Sequence, residues 1–248
     1  MRTLVIGDIH GSIDSLTEVL DKASFDVSKD RLICLGDYID GWPGATKVVN
    51  LLLQVRQESA HPPIFILGNH DSWFIDVLNK DFEHFRNPEY IRSNYPSWIK
   101  QGGEATYLSY LDLSDEEILH HREAFFNQLL PYHEEDNFLF VHAGFDTVMG
   151  FEQTVKEAPR LLQWDRSLYE KAYYYWQMET LHGEKSGNIR FGKFERIYIG
   201  HTPTFRSGVN QPVAMRNVLN LDQGCKVTGR LTAWVHEEGT FFQSGVIN

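Results

Sequence analysis

The chain has 248 residues, 42% of them hydrophobic, and a formal net charge of −11. This length suits one large core, so we predict a single domain over residues 1–248 that carries insertions. The negative charge argues against nucleic-acid binding, which depends on clustered Lys and Arg, and no apolar run approaches the ~18 residues of a membrane span.

The start of the chain and its cysteines indicate the compartment. Met1 to Thr3 lead straight into an apolar run and leave no room for a secretion signal, so we expect a cytoplasmic protein. Two cysteines are too few for a disulfide framework, and we interpret Cys34 and Cys225 as small buried thiols.

Three strand–turn–helix units open the chain. The apolar runs at 3–6, 31–35 and 64–67 each pass through a polar cluster with Gly into a helical pattern. Ser12 is a candidate N-cap, Pro43 suits the first turn of the second helix, and the third begins just after His70. Crossovers of this kind predict a mostly parallel sheet.

Two helical insertions are predicted, at about 81–137 and 151–190. In the first, Ser114 begins a capping box, and the helix that follows is expected to run to Pro131. In the second, the aromatic run 173–176 is interpreted as core, with a roof over a substrate cleft as the alternative.

The apolar positions from Leu219 to Phe241 predict strands of a second sheet.

Polar side chains follow five predicted strands, the last two of which span 138–141 and 197–199. Since ligand sites in α/β folds lie beyond the carboxyl ends of strands, we expect these side chains to converge. Oxygen and imidazole donors without thiolate favour Mn²⁺, with Fe or Zn as alternatives, and their number indicates two ions. The candidates are Asp8, His10, Asp37, Asn69, His142 and His201.

The motifs GDIHG, GDYID, GNHD, VHAG and GHTP, in this order, resemble those of the calcineurin-like metallophosphoesterases. The resemblance is strongest to the bacterial phosphoprotein-phosphatase branch, which includes bacteriophage lambda phosphatase and symmetrical diadenosine tetraphosphatases. It extends to Trp98, Thr106, Trp164–Arg166 and the two closing segments 221–225 and 229–233. It implies an α/β fold, a sandwich of two mixed sheets flanked by helices.

The resemblance also implies a role for each candidate residue. One ion would be held by Asp8, His10 and Asp37, and the second by Asp37, Asn69, His142 and His201. A hydroxide bridging the ions would attack phosphorus. His70 would protonate the leaving oxygen with Asp40 orienting it, or would alternatively only donate a hydrogen bond to phosphate.

Substrate phosphate would be contacted by Asn69 and Arg166, and here the sequence departs from the family. The second motif of the family commonly ends in an Arg that grips phosphate, whereas this chain has Gly41. Arg166 would then carry this role alone, unless it forms an ordinary surface salt bridge. Gln223 replaces the Thr that is common in the closing motif.

We predict a metal-dependent phosphatase that hydrolyses phosphate monoesters, with a phosphoprotein on Ser or Thr, and by extension Tyr, as the leading substrate. The partner would be a phosphorylated protein or a small phosphorylated compound. The first alternative is a symmetrical bis(5'-nucleosyl)-tetraphosphatase, which needs extra cations, whereas the stretch after Asp40 offers only Lys47 and Arg56. The second alternative is a non-catalytic phosphate-binding module.

Overall fold

A computed structural model of the chain describes residues 1–183, 187 and 189–246. Positions 184–186 and 188 of the second predicted insertion therefore lie outside the described residues. The assignment of the whole chain to one domain stays a prediction.

Within the described residues, the strands form two five-stranded sheets of orders β10-β9-β1-β2-β3 and β4-β5-β6-β8-β7. The strands are β1 (Arg2–Ile6), β2 (Asp30–Cys34), β3 (Ile64–Phe65), β4 (Tyr132–Glu135), β5 (Phe138–Val141), β6 (Arg196–Ile199), β7 (Val213–Met215), β8 (Val218–Asn220), β9 (Thr232–Val235) and β10 (Thr240–Gln243). In the first sheet β1, β2 and β3 are parallel, and in the second β5, β6 and β8 are parallel. The remaining pairs are antiparallel.

Helices follow the first three strands, as the sequence predicts, and fill the insertions. They are α1 (Ile13–Lys22), α2 (Ala45–Glu58), α3 (Asn69–Lys80), α4 (Pro88–Asn94), α5 (Pro96–Trp98), α6 (Glu104–Leu111), α7 (Asp115–Ala124), α8 (Phe151–Glu157), α9 (Leu161–Trp164), α10 (Ser167–His182) and α11 (Cys225–Thr228). Among the residues that the structure describes, no helix combines the length and apolar character that crossing a membrane requires.

The alternation of side chains along β1 explains the layers. Val5 lies in an apolar cluster with Phe140 and Tyr198 of the second sheet, whereas Leu4 and Ile6 face the helices outside the first sheet. A further cluster joins the outer face of the second sheet to α8, α9 and α10. The predicted two-sheet sandwich flanked by helices is therefore confirmed.

The prediction that the chain end forms a second sheet is only half right. β8 lies in the second sheet, but β9 and β10 join the first, where β9 pairs antiparallel with β1. Trp234 contributes to the core between the sheets and Ala233 to the helix-side core, so β9 is covered on both faces. An apolar pattern predicts burial, but the pairing partner lies more than two hundred residues away along the chain.

The predicted end of the capping-box helix is also wrong. The Ser114 box is present, but α7 ends at Ala124. Leu130 instead pairs with the first sheet, donating its N–H to Phe65 O at 2.9 Å and accepting one from Leu67 at 2.7 Å. These bonds require extended backbone.

Two of the predicted helix starts differ from those in the structure. α2 begins after an N-cap at Gly44, so Pro43 precedes the helix, and α3 already includes Asn69. On α10, Tyr173 and Trp176 pack on the core beside the second sheet. The core interpretation therefore holds for part of the aromatic run, since Tyr175 also packs there whereas Tyr174 is exposed.

Candidate active site

The six predicted metal ligands converge at the carboxyl edges of both sheets. Each follows a parallel strand. By strand, the ligands are Asp8 and His10 after β1, Asp37 after β2, Asn69 after β3, His142 after β5 and His201 after β6. Every one of these side chains is buried. Two groups have potential ligand atoms within 4.8 Å of one another: one is His10, Asp37 and His70, and the other is Asp37, His142 and His201. Asp37 belongs to both groups, whereas Asp8 belongs to neither. This shared position matches the predicted bridging carboxylate.

Backbone contacts orient His10 toward the carboxylates. Its Nδ1 lies 3.1 Å from Ile39 O and 2.8 Å from Asp40 O, so Nδ1 carries the proton and donates to carbonyls. Its Nε2 therefore has a free lone pair, 3.6 Å from Asp37 Oδ2 and 4.0 Å from Asp8 Oδ2. These atoms could surround one cation.

The second group is organised in the same way. His142 donates from Nδ1 to Leu35 O at 2.9 Å, which leaves Nε2 at 3.4 Å from Asp37 Oδ1 and 3.0 Å from Asn69 Oδ1. His201 places Nδ1 at 2.9 Å from the same Asn69 oxygen. The buried Nε2 of His201 has no hydrogen-bond partner among the described residues. Such convergence of acceptors fits a bound cation.

Several carboxyl groups are buried together at the site. Burial and the nearby Asp222 raise the pKa of Asp8 well above its ordinary value, and burial raises the pKa of Asp222 to about 6. Burial and the charge of Asp37 raise the pKa of Asp71 to about 8. Divalent cations would remove the repulsion that these shifts reflect.

The imidazoles fall into two kinds. Burial lowers the pKa of His10 to about 3 and that of His201 to about 2, so both rings are neutral and can act as ligands. Against the effect of burial, Asp37 raises the pKa of His142 to about 10, and His142 holds the pKa of Asp37 well below its usual range. A cation bound here would displace the His142 proton.

Backbone strain is concentrated at these residues. His10, Asp37, Asp40 and His201 have φ of 52°, 52°, 69° and 63°, in the left-handed region that non-glycine residues rarely adopt. Asp71 supports the turn at Asp37 by accepting hydrogen bonds from the backbone N–H groups of Asp37 at 2.8 Å, Tyr38 at 3.0 Å and Gly68 at 2.9 Å. The turns aim the side chains inward at a conformational cost.

His70 and Asp40 form the buried pair that the sequence predicts. His70 Nδ1 lies 2.7 Å from Asp40 Oδ2, which also accepts from Trp98 Nε1 at 2.8 Å. Thr106 donates to Asp40 Oδ1 at 2.7 Å. Because Nδ1 is engaged, His70 presents Nε2 to the cavity that it lines. Trp98 and Thr106 thus hold the carboxylate that orients His70.

An open cavity of about 270 Å³ lies over these groups. Three cations from separate segments line it: Arg166, Arg206 and Lys226. Sequence reasoning selected only Arg166, although Arg206 lies three residues after the GHTP motif and Lys226 directly after the closing LDQGC. Their closeness along the chain to a recognised motif is the signal that could have identified Arg206 and Lys226 from the sequence.

The basic residues considered from sequence lie elsewhere. Lys47 is exposed on α2, and Arg56 stacks on Phe65, 4.8 Å from the ring centre, and donates to a backbone carbonyl. Arg166 is exposed at the cavity and pairs with no carboxylate among the described residues. The salt-bridge alternative for Arg166 therefore receives no support.

The two departures from the family pattern have structural consequences. Gly41 has a φ of 126°, and a Cβ there would lie 3.1 Å from Lys226 Cγ. Gln223 is buried and accepts a hydrogen bond from Thr232 of β9. Its Nε2 also donates a hydrogen bond to Asn220 O, 3.4 Å away, at the end of β8. Gln223 therefore links strands of the two sheets.

Comparison with protein families gives a match over residues 1–205 to the calcineurin-like phosphoesterase model. One relative is the asymmetrical bis(5'-nucleosyl)-tetraphosphatase PrpE of Oceanobacillus iheyensis, which is 24% identical over 97% of this chain and 91% of its own length.

Solved structures share the fold. A protein described as a candidate diadenosine tetraphosphatase aligns with a TM-score of 0.65 at 18% identity, over 100% of this chain and 94% of its own. A variant of a cold-active protein tyrosine phosphatase aligns with a TM-score of 0.57 at 16% identity, over 98% and 80% of the two chains. At these identities the likeness concerns the fold alone.

Proposed function

Because the chain belongs to the calcineurin-like phosphoesterase family, we propose that it is a divalent-metal-dependent hydrolase of phosphoanhydride bonds in dinucleoside polyphosphates. The observation that carries this substrate class is the set of three cations, Arg166, Arg206 and Lys226, around the cavity. A monoester offers one phosphate group, whereas a polyphosphate chain offers several for such cations to bind. The name of the Oceanobacillus relative supports the same class.

The family prediction made from the motifs is thus confirmed. The phosphoprotein preference stays a prediction, as do the cytoplasmic location and the choice of Mn²⁺ over Fe or Zn. From the sequence, the stretch after Asp40 offered only Lys47 and Arg56 as extra cations for a polyphosphate, and neither is among the residues that line the cavity. We rank the polyphosphate first because Arg206 and Lys226, which were not selected from the sequence, line it together with Arg166.

Two divalent ions would be held by the six predicted ligands, with Asp37 shared, and would supply Lewis acidity and an activated water. The donors fit, since carboxylate and amide oxygens converge here with the neutral imidazoles of His10 and His201. The buried Nε2 of His201 also has no hydrogen-bond partner among the described residues. Asn69 would contact both an ion and the substrate. Family membership supports divalent metal, and the ligand set is our proposal.

The chain's own groups would complete the hydrolysis. The oxygen of a water molecule bonds to phosphorus and one proton of that water passes to solvent, while the bond from phosphorus to the leaving oxygen breaks and that oxygen departs with the bonding electrons. His70 Nε2 would give it a proton, because Asp40 holds Nδ1. Arg166 and Arg206 would bind phosphate oxygens at the cavity wall.

A second candidate, hydrolysis of phosphate monoesters including phosphoserine, is favoured by the His70–Asp40 pair. An alkoxide is a poor leaving group and needs a proton, whereas a departing nucleotide phosphate needs little help. The buried and fully hydrogen-bonded carboxylate of Asp40 would suit that task. The same pair argues against a non-catalytic phosphate-binding module.

The substrate class is tested by steady-state kinetics after chelation and reloading with Mn²⁺. Diadenosine tetraphosphate, a phosphoserine peptide and p-nitrophenyl phosphate would be compared by kcat/KM. We expect the dinucleotide to be preferred over the peptide, and the reverse order would establish the monoester candidate instead. The products then identify the bond, since symmetrical cleavage yields only ADP and asymmetrical cleavage yields ATP and AMP.

A further inference from the structure

We propose that Lys226 is a phosphate-binding residue that replaces the missing guanidinium at position 41. The inference rests on the proposed phosphohydrolase function and adds the residue that binds the phosphoryl group beside His70. Lys226 lies at the N-terminal end of α11, outside every motif used to predict the site.

The first observation is spatial exclusion. A Cβ on Gly41 would approach Lys226 Cγ to 3.1 Å and His10 O to 3.4 Å. The Lys226 stem therefore occupies the space into which a side chain at position 41 would extend. With a φ of 126°, Gly41 also has a backbone conformation that L-residues rarely adopt. One cation fits in this corner of the cavity, and it is supplied from α11.

The second observation is where the ammonium lies. Lys226 Nζ donates to Gln101 O at 2.6 Å and lies 3.1 Å from His70 Nε2. The Gln101 carbonyl holds the end of the flexible side chain in place. An ammonium has three donors, so one remains free after the contacts with Gln101 O and His70 Nε2, at the cavity that Lys226 lines.

The third observation is the lack of a competing partner. The side chain is half-buried, and among the described residues no carboxylate lies within ion-pair distance of Nζ. The carboxylates of the site act on this ammonium only from a longer distance, and bound metal ions would offset their charge, so an anionic substrate group would supply a direct partner. An oxygen of a phosphoryl group bound beside Lys226 and His70 would meet this requirement.

An ammonium and a guanidinium bind phosphate differently. The guanidinium is a planar fork that fixes two oxygens, whereas the ammonium is a compact point charge with rotatable donors. We therefore expect Lys226 to contribute affinity for the phosphoryl group with little demand on its orientation. This property suits both an internal phosphate of a polyphosphate chain and a terminal monoester.

The test measures binding of inorganic phosphate to the Mn²⁺-loaded protein by isothermal titration calorimetry. Lys226→Met keeps the stem and removes the charge, Lys226→Arg restores a charge, and Lys47→Met removes an exposed cation of α2 as a control. We expect the Kd for phosphate to rise about tenfold or more in Lys226→Met, since a charge-assisted hydrogen bond is lost. Lys226→Arg should recover part of the affinity, and Lys47→Met should match the parent protein.

Metal content by elemental analysis and the Tm accompany each titration. An unchanged Kd in Lys226→Met, with metals and Tm retained, would overturn the proposal. Because phosphate binding needs no turnover, a protein that hydrolyses none of the substrates but loses phosphate affinity in Lys226→Met would refute the proposed function alone. Equal losses of phosphate affinity in Lys226→Met and Lys47→Met would show that the overall charge of the protein, and not a specific contact, determines the affinity. That result would also overturn the proposed role of Lys226.

Discussion

His70 Nδ1 and Asp40 Oδ2 lie 2.7 Å apart in a buried pair, and this contact leaves His70 Nε2 as the nitrogen that faces the cavity. A ring held in this way can deliver a proton in one direction only. The same carboxylate is fixed by Trp98 and Thr106, so its orientation does not depend on His70.

Loss of His70 should depend on the leaving group. We expect His70→Asn to lower kcat for a phosphoserine peptide by ~10²–10⁴-fold and to affect p-nitrophenyl phosphate far less, because a phenolate departs without a proton. Asp40→Asn should show a weaker form of this contrast. His120→Asn, on the exposed surface of α7, is the control. Equal losses on both substrates, with metals retained, would assign phosphate binding to His70.

Loss of the shared carboxylate should empty the metal centre. We expect Asp37→Asn to abolish turnover and to reduce bound metal from two ions toward one or none, because both groups of ligand atoms include Asp37. Elemental analysis after dialysis measures the stoichiometry, with Asp112→Asn on an exposed loop as control. Two ions per chain in Asp37→Asn would disprove the bridging role.

An arginine at position 41 should be harmful here, although it is common in the family. Gly41→Arg must adopt a φ near 126° and displace Lys226, so we expect a lower Tm and weaker phosphate binding. The strained backbone alone should lower the free energy of unfolding by about 1–2 kcal/mol, which corresponds to a decrease of several degrees in Tm. Gly208→Ala, where φ is 74° and no atom lies within 4 Å of the added Cβ, isolates that cost. A tighter phosphate Kd in Gly41→Arg would contradict this account.

The two arginines should differ in substrate dependence. Arg166→Ala is expected to raise KM for every phosphorylated substrate, because no arginine at position 41 shares its task. Arg206→Gln should lower kcat/KM about tenfold for diadenosine tetraphosphate and little for p-nitrophenyl phosphate, which has no second phosphate to bind. Arg160→Gln, on the exposed surface before α9, is the control. Identical profiles for the two cavity variants would remove the argument for a polyphosphate.

The cysteines should be unreactive in the folded chain. Both are buried, and burial raises the pKa of Cys34 and of Cys225 well above the usual thiol range. Thiolate is the reactive form, so little of it should exist at neutral pH. Titration with an aromatic disulfide reagent should detect almost no thiol before guanidinium is added and two per chain afterwards. Rapid reaction of the native protein would show that one of them is accessible.

Much of the site could be predicted because each motif is local. A polar cluster placed directly after a buried strand is carried to the edge of the sheet, so Asp8 and Asp37 meet without any knowledge of loop geometry. The repeated order of apolar run, polar cluster and helical segment also predicted the parallel strands of the first sheet. The family resemblance then supplied the roles of Asn69 and His70, which residue chemistry alone left open.

Long-range features could not be predicted in this way. The sequence by itself determined the strand-end motifs, the donor types and the family, because these depend on neighbours along the chain. Only the tertiary structure decided that β9 pairs with β1 and that Lys226 lies between Gly41 and His70. Both depend on segments at least 156 residues apart, whose meeting is set by packing of the whole core and leaves no periodic signal in either segment.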